Sequence, residues 1–130
     1  MIAKNETPVI GVVGVCGSGK STLIAGLKSF GINGKHIAQE HSYVQTMWMR
    51  IVHPDLLIFL DASYSTTIRR RNLNWSEEEY QEQHRRLAHA RQHADLYILT
   101  DALTSAQVIQ IVLEFIKARG SKVLTEQNPQ

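Results

Sequence analysis

The sequence is poor in the features of secreted, disulfide-bonded or membrane-embedded chains. Its 130 residues include three prolines and one cysteine, Cys16. A single cysteine excludes an intrachain disulfide and fits a reducing compartment. No apolar run approaches the roughly 20 residues of a membrane span, and residues 1–8 lack the apolar segment of a signal peptide. We therefore expect a cytoplasmic protein with no membrane partner.

A large excess of one charge sign is absent as well. The net charge is +2, which is too small to indicate a nucleic-acid partner. With 43% hydrophobic and 20% charged residues, the chain is predicted to form one globular domain over residues 1–130. The basic residues are unevenly distributed, because six of the eight arginines fall in one stretch. These six are Arg69, Arg70, Arg71, Arg85, Arg86 and Arg91.

The most informative stretch is residues 9–22, where an apolar run gives way to glycines. The pattern G-x-x-x-x-G-K-[ST] is met by Gly14, Gly19, Lys20 and Ser21. Glycines have no Cβ, so successive backbone N–H groups can turn toward a phosphate at the start of a helix. We expect Lys20 to neutralise phosphate oxygens and Ser21 to bind Mg²⁺. The predicted phosphate-binding loop comprises Gly14, Val15, Cys16, Gly17, Ser18, Gly19, Lys20, Ser21 and Thr22.

Strand and helix patterns alternate along the chain. This alternation predicts an α/β fold with a three-layer, doubly wound parallel sheet of about four strands, the first of them central. The strands are expected at residues 9–13, 36–39, 56–60 and 96–99.

Capping residues mark the predicted helix starts. The first helix should run over residues 20–30, with Gly31 as its C-cap. Ser63 or Ser65 caps the helix that carries the arginines at 69–71. Capping boxes are predicted for the pairs Ser42 and Gln45, Ser76 and Glu79, and Thr104 and Gln107, with a Trp75–Tyr80 staple at the second.

Two of these helices carry further expectations. The helix after Ser42 should bury an apolar stripe. The last helix should end at Gly120, with a flexible tail over residues 121–130. The predicted stripe consists of Tyr43, Val44, Met47, Trp48, Ile51 and Val52.

Residues 14–22, 54–61 and 95–101 resemble the phosphate loop, the Pro-Asp-Leu strand and the last strand of one known group. That group is the P-loop nucleoside and nucleotide kinases, which include thymidylate kinase, deoxynucleoside kinases and dephospho-coenzyme A kinase. The resemblance implies a P-loop NTPase fold and transfer of the γ-phosphate of ATP to a small acceptor. It also implies that the arginines at 69–71 form a lid. The Asp-Arg pair of those kinases has no counterpart in this sequence.

Carboxylates and arginines supply candidate chemistry outside the loop. Glu40 follows the second strand at the ligand-binding edge of such sheets. It holds Mg²⁺ through a water, accepts a proton from an acceptor hydroxyl, or is a solvated loop residue. Asp61 ends a strand and either binds metal or caps a helix. Three consecutive arginines cannot all face one way, so at least one lies on the surface. The candidate metal ligands are Ser21 and Asp61, and the candidate catalytic residues are Lys20, Glu40, Arg69, Arg70 and Arg71.

Several alternatives stay open. Met47 and Trp48 are core residues or a platform for a base, and His89 and His93 form a solvated basic face or a metal pair. Cys16 is an activated thiol or an inert apolar residue. A plain ATPase or GTPase and a nucleotide-binding module that acts through a partner are alternative functions, although no Asn-Lys-x-Asp guanine motif occurs. A homodimer is also left open.

Overall fold

The computed structural model describes residues 8–72 and 74–127 and has an α/β architecture. Its strands are β1 (Ile10–Gly14), β2 (Gly34–His36), β3 (Leu56–Asp61) and β4 (Leu96–Leu99). They form a parallel sheet in the order β2-β1-β3-β4. The predicted α/β class and four-stranded parallel sheet are therefore confirmed, and β1 lies inside the sheet.

Helices follow the strands in chain order. A 3-10 turn (Gln39–His41) lies between β2 and the second helix. The helices are α1 (Lys20–Lys28), α2 (Met47–Ile51), α3 (Tyr64–Arg71), α4 (Glu77–Arg86), α5 (Ala88–His93) and α6 (Ser105–Gln127). The expectation of one domain over residues 1–130 stays a prediction.

Both faces of the sheet are buried. Side chains of β1 and β3 alternate between two clusters, one on each face, as the period of two of a strand requires. One cluster includes Leu27 of α1 and Val112 of α6. The other includes Trp48 of α2 and Ala90 of α5. Burial on both faces explains why β1 and β3 read as continuous apolar runs.

Most predicted helix ends form as expected. Gly31 (φ 80°) ends α1, its N–H donating to Lys28 and that of Ile32 to Leu27, in a Schellman motif. Ser63, rather than Ser65, caps α3 by accepting from the N–H of Thr66. Both partners of each capping box are hydrogen-bonded at the starts of α4 and α6, and the rings of the predicted staple lie 6.0 Å apart.

The capping box predicted for Ser42 and Gln45 is wrong. Helix α2 begins only at Met47, and Ser42 Oγ accepts from the nearby N–H of Val44. Gln45 is not free to cap the helix, because its side chain donates to the carbonyl of Arg85 and accepts from the N–H of His89. The predicted apolar stripe is also wrong in part: Trp48 is buried, while Tyr43, Val44 and Ile51 are exposed.

Among the other boundaries, those of β2 and α6 differ most from prediction. Strand β2 lies at 34–36 rather than 36–39, because the chain turns at Gln39, whose side chain bonds the backbone of Trp48, Val44 and Arg86. Helix α6 passes Gly120, where it was expected to end. A single glycine costs a helix only about 1 kcal/mol, and no proline occurs between there and Gln127.

The expected tail is therefore helical in its backbone as far as Gln127, and residues 128–130 lie outside the described residues. Across the two described ranges, none of the helices combines the length and apolar character needed to cross a membrane.

Candidate functional site

The glycine-rich loop leaves the carboxyl end of β1 and enters α1. Gly17 and Gly19 have φ angles of 84° and 104°, in the region that favours glycine. A Cβ at Gly14 would lie 2.1 Å from the carbonyl oxygen of Leu60, so close packing against β3 also requires glycine. A Cβ at Gly19 would meet no heavy atom within 4 Å among the described residues beyond its two chain neighbours. The loop is therefore tightly packed against β3 at Gly14 and has free space beside Gly19.

Lys20 is directed back into this loop. Its ammonium group donates to the carbonyls of Gly14 at 2.8 Å and Val15 at 3.0 Å. The same group lies 3.2 Å from Oε2 of Glu40, and the two side chains are only 7% and 3% exposed. The other oxygen, Oε1 of Glu40, is buried and has no hydrogen-bond partner among the described residues. The predicted cation and the predicted carboxylate thus form one buried pair.

Two residues that were not predicted from the sequence, Gln83 and Thr100, form hydrogen bonds with the loop. Gln83 of α4 accepts from the backbone N–H of Cys16 at 3.0 Å and donates to its Sγ at 3.2 Å. Thr100, just after β4, donates through Oγ1 to the carbonyl of Ser18. Thr100 follows a parallel strand at the edge where such sheets place ligands, a signal that could have identified it. Gln83 carries no comparable signal.

The three arginines of α3 have different surroundings. Arg70 bonds the hydroxyl and carbonyl of Thr100 and approaches the carbonyl of Gly17. Arg71 packs against Gly17, since a Cβ on that glycine would lie 3.3 Å from its Cγ. The side chain of Arg69 donates to the hydroxyl of Thr66, on its own helix. The arrangement agrees with the expectation that not all three can face one site.

A pocket of about 370 Å³ opens at the loop. It brings together most of the predicted site residues and two histidines that were not predicted. The predicted residues that do not line it are Gly14, Val15, Ser18, Asp61 and Arg69. Its lining is Cys16, Gly17, Gly19, Lys20, Ser21, Thr22, His36, Glu40, His41, Arg70 and Arg71.

Asp61 lies at the end of β3 among different partners. Its oxygens accept from the backbone N–H of Ala62 at 2.9 Å and the hydroxyl of Tyr97 at 2.6 Å, and His84 Nε2 lies 3.4 Å away. Burial, together with the contact to Asp61, raises the pKa of Tyr97 to about 12, so its hydroxyl stays protonated and donates. Both carboxylate oxygens are therefore already used by neighbouring protein groups.

A smaller cavity of about 150 Å³ shares Gly19, Thr22 and Arg70 with the larger pocket. Apolar side chains of Leu23, Leu103 and Val108 line it together with the polar groups of Thr100 and Arg70. Its mixed lining suits a flat, partly polar group held next to the loop.

Trp48, His89 and His93 lie elsewhere. Trp48 is 7% exposed within the core, and its ring N–H donates to Nδ1 of His89. His93 Nδ1 lies 2.9 Å from the carbonyl of His89, and the two rings stack with centroids 4.2 Å apart. The core interpretation of Trp48 is confirmed, and the two histidines interact with protein groups.

The chain was compared with known protein families and with curated proteins, and neither comparison returned a match.

Proposed function

We propose that this chain has a P-loop NTPase fold, binds ATP with Mg²⁺ at residues 14–22, and transfers the γ-phosphate to a small acceptor. The observation that carries the proposal is the loop geometry. Glycines at 17 and 19 take left-handed backbone angles, the space above Gly19 is open, and the ammonium of Lys20 lies at the loop. Such a loop directs backbone N–H groups and a helix N-terminus at one anion.

The residues present fit a nucleoside triphosphate. Lys20 is already desolvated, and moving it from the carbonyls of Gly14 and Val15 to phosphate oxygens exchanges neutral acceptors for charged ones. Ser21 is exposed at the second helical position, where its hydroxyl would hold Mg²⁺. The metal would neutralise charge on the phosphate oxygens when bound.

Glu40 is the group best suited to take the proton of the acceptor hydroxyl. It lines the same pocket as Ser21 and Lys20, and its buried Oε1 has no hydrogen-bond partner within residues 8–72 and 74–127. During transfer an acceptor oxygen bonds to the γ-phosphorus, the bridging bond to the β-phosphate breaks, and ADP leaves. The hydroxyl proton goes to Glu40, which acts as the general base. Arg71 approaches the loop and would stabilise charge on the transferring group.

A nucleotide-binding module that works through a partner is the second candidate. The observation in its favour is Arg70, whose guanidinium is held by Thr100 and so is less available to the transferring phosphoryl group. In a binding module the same contact simply fixes the loop against β4. This function requires tight ATP binding without turnover.

The deciding experiment measures binding and chemistry together. ATP affinity is measured by calorimetry with Mg²⁺, and γ-phosphate transfer is followed to water and to a panel of nucleosides, nucleotides and sugars. The proposal expects slow hydrolysis and faster transfer to at least one acceptor. Tight binding with no transfer supports the module instead, and absence of ATP binding rejects both.

A further inference from the structure

A thiol, a carboxylate and an imidazole converge beside the phosphate loop. Cys16 Sγ, a carboxylate oxygen of Glu40 and a ring nitrogen of His41 all lie within 4.8 Å of one another. Sγ is 3.9 Å from Nε2 of His41, and Oε2 of Glu40 is 3.7 Å from the same nitrogen. These three residues come from two separate segments, the loop after β1 and the 3-10 turn after β2.

We infer that Cys16, Glu40 and His41 form a binding site for a borderline-soft divalent cation such as Zn²⁺. Sulfur, nitrogen and oxygen are the donor set of zinc sites, and three protein ligands leave a fourth position open. Tetrahedral Zn²⁺ with bonds of about 2.0–2.3 Å places its ligand atoms about 3.5 Å apart. The separations from Nε2 of His41, 3.9 Å to Sγ and 3.7 Å to Oε2, exceed this by a few tenths of an ångström, and the third separation is within 4.8 Å. Side-chain rotations would bring the three atoms to bonding distance of one ion.

The buried carboxylate supplies an independent observation. Glu40 is 2% exposed, yet its Oε1 has no hydrogen-bond partner in the part of the chain that the structure describes. A buried carboxylate oxygen without a partner carries a desolvation penalty that a cation would relieve. Lys20 pairs with Oε2, the oxygen that also approaches His41, and an ionised carboxylate oxygen has a second lone pair with which it can bind a metal beside that contact.

The geometry favours a metal over a nucleophilic Cys–His pair. In a catalytic triad the carboxylate orients the histidine through the ring nitrogen opposite to the one that meets the nucleophile. Here the sulfur and the carboxylate approach the same nitrogen, Nε2 of His41. Two groups at the same ring nitrogen cannot pass a proton through opposite nitrogens of the ring, but they can bind one metal ion together with that nitrogen.

The site is distinct from the proposed Mg²⁺ position at Ser21, because Mg²⁺ prefers oxygen ligands and thiolate selects softer metals. Glu40 is shared with the proposed transfer chemistry, so a metal held here would inhibit transfer if that function is correct. Binding of the metal itself does not depend on that function. A test without nucleotide therefore separates the two proposals.

The experiment titrates the untagged chain with Co²⁺ alone, without nucleotide and with the thiol kept reduced. We expect a thiolate-to-cobalt charge-transfer band in the wild type, which Zn²⁺ abolishes by displacement. Cys16→Ser, which keeps an acceptor for Gln83, should lose the band. His41→Gln, at a side chain that is 60% exposed, should bind at least ~10-fold more weakly.

His36→Gln is the matched control, since His36 lines the same pocket but lies outside the three-residue cluster. It should titrate like the wild type. Absence of a thiolate band in the wild type overturns the inference, and so does an unchanged Co²⁺ affinity in His41→Gln.

Discussion

Lys20 and Glu40 neutralise each other inside the protein, with 3.2 Å between Nζ and Oε2. Removing one partner of a buried ion pair leaves an uncompensated charge, which costs a protein about 3–5 kcal/mol. A loss of function in either single variant could therefore arise from lost stability. Variants at this pair must be compared with the double variant, in which both charges are absent.

Replacing Lys20 with methionine should weaken ATP binding by about 2 kcal/mol, or roughly 30-fold. The reason is loss of the charge-assisted contact to phosphate, while the methionine keeps the apolar stem. Calorimetry with Mg²⁺ measures the effect. Lys28→Met, at the exposed end of the same helix, should bind ATP normally. Equal affinities for wild type and Lys20→Met would remove Lys20 from the site.

Replacing Glu40 with glutamine should lower ATP hydrolysis by at least ~100-fold, because general-base catalysis typically contributes that much. ATP binding should be retained or slightly strengthened, because Lys20 no longer has a competing carboxylate. Steady-state turnover and calorimetry measure the two effects.

Thermal unfolding provides the control for Glu40→Gln. That variant should unfold at a lower temperature than wild type, and adding Lys20→Met should recover part of the loss. Full hydrolysis by a folded Glu40→Gln protein would show that the base is another group.

Arg71 and Arg69 form a matched pair on one helix. Arg71→Gln should lower turnover at saturating ATP by about 10-fold or more, because its side chain approaches the loop at Gly17. Arg69→Gln should change turnover by less than about twofold, because Arg69 does not line the pocket. Equal effects of the two changes would contradict this assignment.

His84 should make stability depend on pH. Burial lowers the pKa of His84 below its ordinary 6.5, with Arg91 adding to the effect and Asp61 opposing it. Below pH 6.5 the unfolded chain therefore binds more protons than the folded one at this residue. The contribution of His84 to stability is fully present above pH 6.5 and is lost as the pH falls toward the lowered pKa.

Urea unfolding of wild type and His84→Gln between about pH 5 and 7.5 tests this linkage. The wild type should lose more of its unfolding free energy than the variant as the pH falls from 6.5. Parallel pH profiles would contradict the shifted pKa.

Local signals in the sequence predicted most of the fold correctly. The capping box at Ser76 and the capping residue Ser63 act within three positions, so a short window contains both partners. Gln45 failed as a capping residue because its partners, Arg85 and His89, lie far along the chain. Propensity and periodicity do not record such contacts.

The candidate site divides in the same way. The loop with Lys20 has a contiguous pattern, and Glu40 was identified because it follows a strand. The hydrogen bonds between Cys16 and Gln83, and the proximity of Cys16 to His41, depend on how α4 and the 3-10 turn pack against the loop. Only the three-dimensional arrangement reveals them.

The parallel sheet also has a consequence for how the chain folds. Ile10 pairs with Gly34 on one side and with Leu56 on the other, and Ile58 pairs with Leu96. None of these pairings can be made by a tight hairpin, so each requires closure of a long loop before any ladder forms. Folding of such a topology is slow compared with that of a helical bundle. Because Gly14 packs against Leu60 of β3, the glycine-rich loop acquires its shape only after those distant segments have met.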